Sequence, residues 1–206
     1  MLLADIGNTN IKLWRDGIIE RRAAAADLLP ETPFCYINVN PDLNVALKGL
    51  VYAHDLAPFF CFETSYKGMG IDRVAACYTI DTGVVVDAGS AITVDVMDSG
   101  RHLGGFILPG IRSCKESFVN ISPKLVCDLN PSTDLEQLPK NTNDALNYAI
   151  FGSIVSMIRQ HAFKKRIYLT GGDAKRLHGF LPEATVVPDL VFQGMQKVIK
   201  EKGISC

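Results

Sequence analysis

Two short stretches of the chain share one design: an apolar run closed by an aspartate, a polar turn containing glycine, and a second apolar run. The first is LLADIGNTNIKLW, residues 2–14, and the second is VVVDAGSAITVDV, residues 84–96. Asp5 matches Asp87, Gly7 matches Gly89, and Asp16 in the following turn matches Asp98. An extended apolar segment that stops at such a turn and then resumes reads as two strands of a meander, with GIIE and HLGGFIL as the third strands. Because the pattern occurs once in each half, the chain is expected to be two related halves, each with its own sheet.

Helical signals follow each meander. In the first half they are AAAADLL and, beyond the short strand FCYINVN, the run PDLNVALKGL; in the second they are IRSCKESFV and TNDALNYAIFGSIVSMIRQHAF. In the longest run Leu146, Ala149, Ile150, Ser153, Ile154, Met157 and Ile158 recur at three- and four-residue spacing and predict one buried face, with Thr142 or Asn143 as its cap. A strand RIYLTG, a helix GDAKRLHGF, a short strand TVV and a final helix from about Pro188 to Lys202 complete the chain. Strand meanders alternating with helices, twice over, predict an α/β protein with two mixed sheets. The junction is placed near Thr79 to Gly83, giving domains 1–80 and 81–206.

Composition narrows the class of partner. With 206 residues, 48% of them hydrophobic, the chain can bury a substantial core. Lysine plus arginine number 21 against 22 aspartate plus glutamate, so neither nucleic acid nor an anionic membrane surface finds a field of the right sign. A small-molecule partner is expected instead. No basic region precedes the short apolar run at Met1, and no apolar stretch is long enough to cross a bilayer, so a cytoplasmic location is expected. Cys35, Cys61, Cys77, Cys114, Cys127 and Cys206 are irregularly spaced, with no CxxC pair, and read as reduced thiols that pack as small hydrophobes. His54, His102, His161 and His178 form no cluster in the sequence and are assigned no chemistry.

The two aspartate-tipped turns are where chemistry is expected. A strand ending in DIGNTN presents backbone N–H groups around a glycine, and a concave row of such donors suits phosphate oxygens. Asp5 would repel a phosphate unless a cation lay between them, which points to a metal-nucleotide complex. Asp87 with Gly89 and Ser90 repeats the design. Aspartate and glycine are also ordinary hairpin residues, and it is the repetition directly after two apolar strands that favours the phosphate reading. Neither GxxxxGK[ST] nor a GxGxxG at a strand-to-helix turn is present.

DIGNTNIK, GMGIDR, DAGSAITVD, GGFILPGI, NTNDAL and LTGGDA occur in this order along nearly the whole chain, and in this the sequence resembles the type III pantothenate kinases of the acetate and sugar kinase, heat-shock-70 and actin superfamily. The resemblance implies two ribonuclease-H-like domains, mixed five-stranded sheets flanked by helices, with an ATP cleft between them. It further implies a homodimer that uses ATP with Mg²⁺ and a monovalent cation, K⁺ or NH₄⁺, to phosphorylate pantothenate. On this resemblance Asp5, Ile6, Gly7, Asn8, Thr9, Asn10, Ile11 and Lys12 form the first ATP-phosphate loop, with Asp5 helping to hold the Mg²⁺ of the nucleotide. Gly89 and Ser90 belong to the second loop, where the family usually has threonine at the position of Ser90. Asp87 matches the monovalent-cation ligand.

Tyr66, Gly70, Ile71, Asp72, Arg73 and Thr142 match positions that meet pantothenate, and Asp72 matches the general base. From the residues alone, Asp72 also reads as a helix N-cap, Arg73 as one half of a surface ion pair, and Thr142 as a cap. LTGGDA is the expected adenosine end. A non-catalytic nucleotide-binding regulator on the same scaffold is the rival reading.

Overall fold

The computed structural model describes residues 1–204, and among them no helix is long and apolar enough to cross a membrane. The chain divides into two compact units: Met1–Ile80 together with the segment from Asp189 onward, and Asp81–Pro188.

The first unit contains β1 (Leu3–Ile6), β2 (Asn10–Arg15), β3 (Ile18–Ala23), β4 (Phe34–Asn38), α1 (Asn44–Gly49), β5 (Ala53–Asp55) and α2 (Ile71–Cys77). The second contains β6 (Gly83–Ala88), β7 (Ala91–Asp98), β8 (Arg101–Pro109), α3 (Ile111–Ile121), α4 (Thr142–Ala162), β9 (Ile167–Thr170), α5 (Ala174–His178) and β10 (Thr185–Val186). A last helix, α6 (Leu190–Lys202), returns to the first unit.

The two sheets have orders β3-β2-β1-β4-β5 and β10-β9-β6-β7-β8. Numbered within each unit, both run third, second, first, fourth, fifth, so the duplication expected from the aspartate-tipped turns is present in the topology. The first three strands of each sheet are antiparallel, and the fourth and fifth join in parallel. Two-residue turns, Asp16–Gly17 and Ser99–Gly100, close the β2–β3 and β7–β8 hairpins with positive φ at every position, 51° and 85° in the first and 50° and 76° in the second. This is the type I′ geometry that matches strand twist. Asp16 is therefore equivalent to Ser99, not to Asp98. Asp98 closes β7, which has eight residues against six in β2.

Each unit has its own apolar core. In the second, Val84, Val86, Ile92 and Val94 of the sheet pack with Leu146, Ile150, Phe151, Ile154, Val155 and Ile158 of α4. The buried stripe of α4 differs from the expected one: Phe151 and Val155 point inward while Ala149 and Ser153 are exposed. The larger side chains claim the interior. Asn141 caps this helix, its side chain accepting from the Asp144 N–H at 2.9 Å, so Thr142 is the first helical residue rather than the cap. AAAADLL forms only a 3-10 turn at Ala26–Leu28, and β5 extends the first sheet beyond what the sequence showed.

The expected second domain, 81–206, is corrected at its end, because α6 packs on α2. Its apolar face, Leu190, Val191, Phe192, Met195 and Val198, is buried, and the Phe192 ring stacks on Trp14 with centroids 6.5 Å apart. An amphipathic period shows that a helix has a partner but not which sheet supplies it. Among the cysteines, Cys61, Cys77, Cys114 and Cys127 are free thiols. Cys35 is buried in β4, and Cys206 lies outside the described residues.

Gly194 sets the closeness of α6 to α2: a Cβ there would run into the carbonyl oxygen of Ala75, with backbone and not a flexible side chain in the way. Gly194→Ala is expected to cost about 1–3 kcal/mol of stability by overpacking, seen as a lower urea midpoint at unchanged slope.

Candidate active site

In the first unit the parallel pairing of β1 with β4 brings two strand ends side by side, with Ile6 opposite Asn38. Asp5, one residue from the end of β1, is 4% exposed. A buried carboxylate needs a charged or hydrogen-bonding partner, and the antiparallel register supplies one: Lys12 is directly across from Asp5, its Nζ 3.0 Å from Oδ2. The turn that follows is closed by the Gly7 N–H donating to the Asn10 carbonyl at 3.0 Å. The Gly7 N–H is thus spent within the turn, and what the loop presents outward is Asn8, Thr9 and Asn10, all exposed. Ile6 and Ile11 are buried and anchor the two sides.

The end of β4 reaches both this turn and α2. The Val39 N–H donates to the Ile6 carbonyl at 3.0 Å, and Val39 Cγ1 lies 3.7 Å from where a Cβ on Gly70 would be. Gly70 is the N-cap residue of α2 and makes no side-chain cap. Asp72 lies in the first helical turn, not at the cap position, and its Oδ1 accepts from the Arg73 N–H at 2.8 Å. A carboxylate in a first turn is favoured in its ionised form by the local field. Arg73 is no surface residue: it is 6% exposed, and its guanidinium lies 4.7 Å from the centroid of the half-buried Tyr66 ring. Such stacking holds a buried cation on an aromatic face. Gly70, Ile71, Asp72, Arg73 and Tyr66 are therefore gathered at one place, beside the strand end that carries Asp5.

In the second unit the same parallel pairing sets Asp87 opposite Thr170. The Gly89 N–H closes its turn onto the Ala91 carbonyl at 3.0 Å, and the Gly110 N–H donates to the Ser90 carbonyl at 3.2 Å, tying the start of α3 to the loop. LTGGDA wraps this end from the other side. The Asp173 N–H donates to the Ala88 carbonyl at 2.9 Å, and Gly171 has φ 90°. A Cβ on Gly171 would fall on Asp87 Oδ1 and within 2.5 Å of the Ala88 oxygen, so only glycine leaves that carboxylate its place. Thr142 is exposed at the start of α4, whose side chains bond to the 128–130 segment: Asn143 Oδ1 accepts from the Asp128 N–H and Asn147 Oδ1 from the Asn130 N–H.

Two features lay outside the sequence motifs. One is the Asn38-Val39-Asn40 turn, whose only sequence signal was the Asn-Pro step at residues 40–41. The other is a cavity of about 640 Å³ between α3 and α5, lined by Arg112, Lys115, Glu116, Asn120, Asp173 and Arg176. Its side chains come from two helices far apart in sequence, so no local pattern could reveal it. Asp173 and Arg176 are paired there, and Arg112 is paired with Glu116 at 2.8 Å.

The Gly171 contacts predict that Gly171→Ala both strains the backbone and displaces Asp87. The expected outcome is a melting temperature several degrees lower, following a loss of about 1–3 kcal/mol, measured by thermal unfolding.

Residues 53–164 match the sequence profile of the type III pantothenate kinases. A type III pantothenate kinase from Wolinella succinogenes is 47% identical over 206 residues, covering 98% of this chain and 97% of that one. One from Campylobacter jejuni is 44% identical over 203 residues, with 98% and 97% covered. Among solved structures, a conserved putative Baf family transcriptional activator from Campylobacter jejuni superposes with a TM-score of 0.92 at 43% identity, covering 98% of this chain and 99% of the other. A putative 2-dehydro-3-deoxygalactonokinase from Sinorhizobium meliloti, at 11% identity, a TM-score of 0.57 and 98% coverage of both, shares the fold alone. With this profile match and near-full-length identity on top of two like-ordered sheets that carry Asp5 and Asp87 near their strand ends, the chain belongs to the type III pantothenate kinase family.

Proposed function

We propose that this protein transfers the γ-phosphoryl group of ATP to the terminal hydroxyl of pantothenate, forming 4′-phosphopantothenate in the first step toward coenzyme A. The observation that carries the reading is the gathering, within the first unit, of the Asp5–Lys12 pair, the Gly7 turn and the Asp72–Arg73 helix start at neighbouring strand ends. Phosphoryl transfer asks mainly for positioning and charge neutralisation, and these elements supply both.

Asp72 is the general base. It takes the hydroxyl proton as the pantothenate oxygen bonds to the γ-phosphorus and the bond to the ADP oxygen breaks. The hydrogen bond from the Arg73 N–H holds one oxygen of its carboxyl group in place. Arg73, held over Tyr66, pairs with the carboxylate of pantothenate in the bidentate manner that arginine favours. Ile6 and Ile11 anchor the first phosphate loop; Asn8, Thr9, Asn10 and Lys12 donate to phosphate oxygens. Gly89 and Ser90 form the second loop. The cavity between α3 and α5 takes the nucleoside end of ATP.

Among the described residues no three His, Cys, Asp or Glu side chains converge on a metal position. That suits Mg²⁺ arriving with the nucleotide, since Mg²⁺ is commonly held by one or two carboxylates, water and phosphates, and Asp5 supplies a carboxylate. Asp87 fits a monovalent cation, K⁺ or NH₄⁺, because the missing Cβ of Gly171 leaves a cradle around its carboxylate and the Ala88 carbonyl. The cations supply charge neutralisation to the phosphates when bound. Thr142 meets substrate in this reading across a homodimer.

The solved Campylobacter jejuni structure described as a putative transcriptional activator supports a second reading, a regulator that binds nucleotide without transferring phosphate. ADP release separates the two. Release that depends on pantothenate, and that falls when K⁺ is replaced by Na⁺, is the expected result; no release with MgATP across cations would favour the regulator. Asp72→Asn is expected to lower kcat by about 10²–10⁴-fold while leaving MgATP binding near that of the parent. Near-normal turnover in that variant would remove Asp72 from the base role.

A further inference from the structure

The turn between β4 and α1 is built as a rigid bracket beneath the first phosphate loop. Asn38 Oδ1 accepts from the Asn40 N–H at 2.9 Å, and Asn38 Nδ2 donates to the Asn40 carbonyl at 3.0 Å and to Asn44 Oδ1 at 2.9 Å. Asn40 itself is 5% exposed. Its Oδ1 accepts from the Asp42 N–H at 3.0 Å, capping the 3-10 turn at Pro41–Leu43. With Oδ1 committed to a donor, the orientation of the amide is fixed, and Nδ2 faces the carbonyl oxygen of Gly7 at 3.4 Å.

The Gly7 carbonyl matters because of what lies on the other side of its peptide bond. A trans peptide is planar, with its C=O and N–H pointing in opposite directions. A Gly7 carbonyl held inward by Asn40 therefore turns the Asn8 N–H outward, toward the side on which the loop is exposed. Glycine is the residue at which such a plane flips most readily, so something other than the local backbone must hold it. We propose that Asn40 is a positioning residue for phosphoryl transfer: its amide locks the Gly7–Asn8 peptide plane so that the Asn8 N–H is presented to the nucleotide phosphates. The inference rests on the reading of residues 5–12 as a phosphate loop. Through Val39, which bonds to Ile6 and packs against the Gly70 position, the same bracket also fixes the loop relative to the helix start that carries Asp72.

Asn40→Ser and Asn40→Asp separate this role from capping. Both residues are good caps and keep an acceptor for the Asp42 N–H, but neither presents an amide donor to Gly7, and the serine variant adds no charge near the phosphates. The expected result is that both variants, assayed well below their unfolding temperatures, raise KM for MgATP about five- to tenfold, the scale of one hydrogen bond, with KM for pantothenate within about twofold of the parent. Lys12→Met serves as the reference for the loop itself. If Lys12→Met raises KM for MgATP while both Asn40 variants match the parent, the positioning role is overturned and the loop reading stands. If Lys12→Met also leaves KM unchanged, the loop reading falls and the inference with it. A loss of activity in the Asn40 variants that tracks a lower folded fraction, with KM for MgATP unchanged, assigns Asn40 to the fold alone and likewise overturns the proposal.

Discussion

The parallel pairing of the first and fourth strands in each unit is the constraint on which the rest of the molecule depends. A parallel pair aligns two carboxyl ends at one edge of a sheet, and in open α/β sheets that edge is where ligand-binding loops gather. Here the pairing places Ile6 beside Asn38 in one unit and Asp87 beside Thr170 in the other. Each unit's aspartate, glycine turn and supporting loop follow from that alignment. The antiparallel second strand then supplies the return, which in the first unit delivers Lys12 opposite Asp5.

Four buried polar side chains in these units are partnered in distinct ways. Asp5 has an ammonium across the strand pair, Arg73 has an aromatic face, and Asp95 has the His102 ring, with Nε2 2.8 Å from Oδ1 and both side chains fully enclosed. Asn147 in α4 is satisfied by Asp128, Asn130 and Asn143 backbone groups. Breaking one member of such a pair costs more than the pair contributes, because its partner is then left buried and unmatched. The first two partnerships lie at the candidate site, so the polar chemistry there also serves to hold the fold.

Much of this was legible in the sequence, and the reasons differ by element. The aspartate-tipped turns announced the duplication because strand, turn and strand are local in the chain. The α4 periodicity announced a helix, but its buried face rotated once Phe151 and Val155 competed with Ala149 and Ser153 for the interior. Asp72 read as a cap by residue type, whereas Gly70 occupies that position. Arg73 read as exposed because sequence does not show that Tyr66, seven residues earlier, folds over it. The Asn40 bracket and the α3–α5 cavity depend on contacts between distant segments and left almost no local trace. The docking of α6 on α2 was invisible for the same reason.

That last helix has a consequence for how the molecule is made. The first unit is discontinuous: its sheet is complete by Asp55, yet its α6 face is supplied only after the whole second unit has been translated. Domains usually fold as units in the order in which they leave the ribosome. In this chain the second unit has all its strands and helices by Pro188 while the first still lacks its final layer. Trp14 and the α2 surface are thus covered by a helix that is synthesised only after every strand and helix of the second unit.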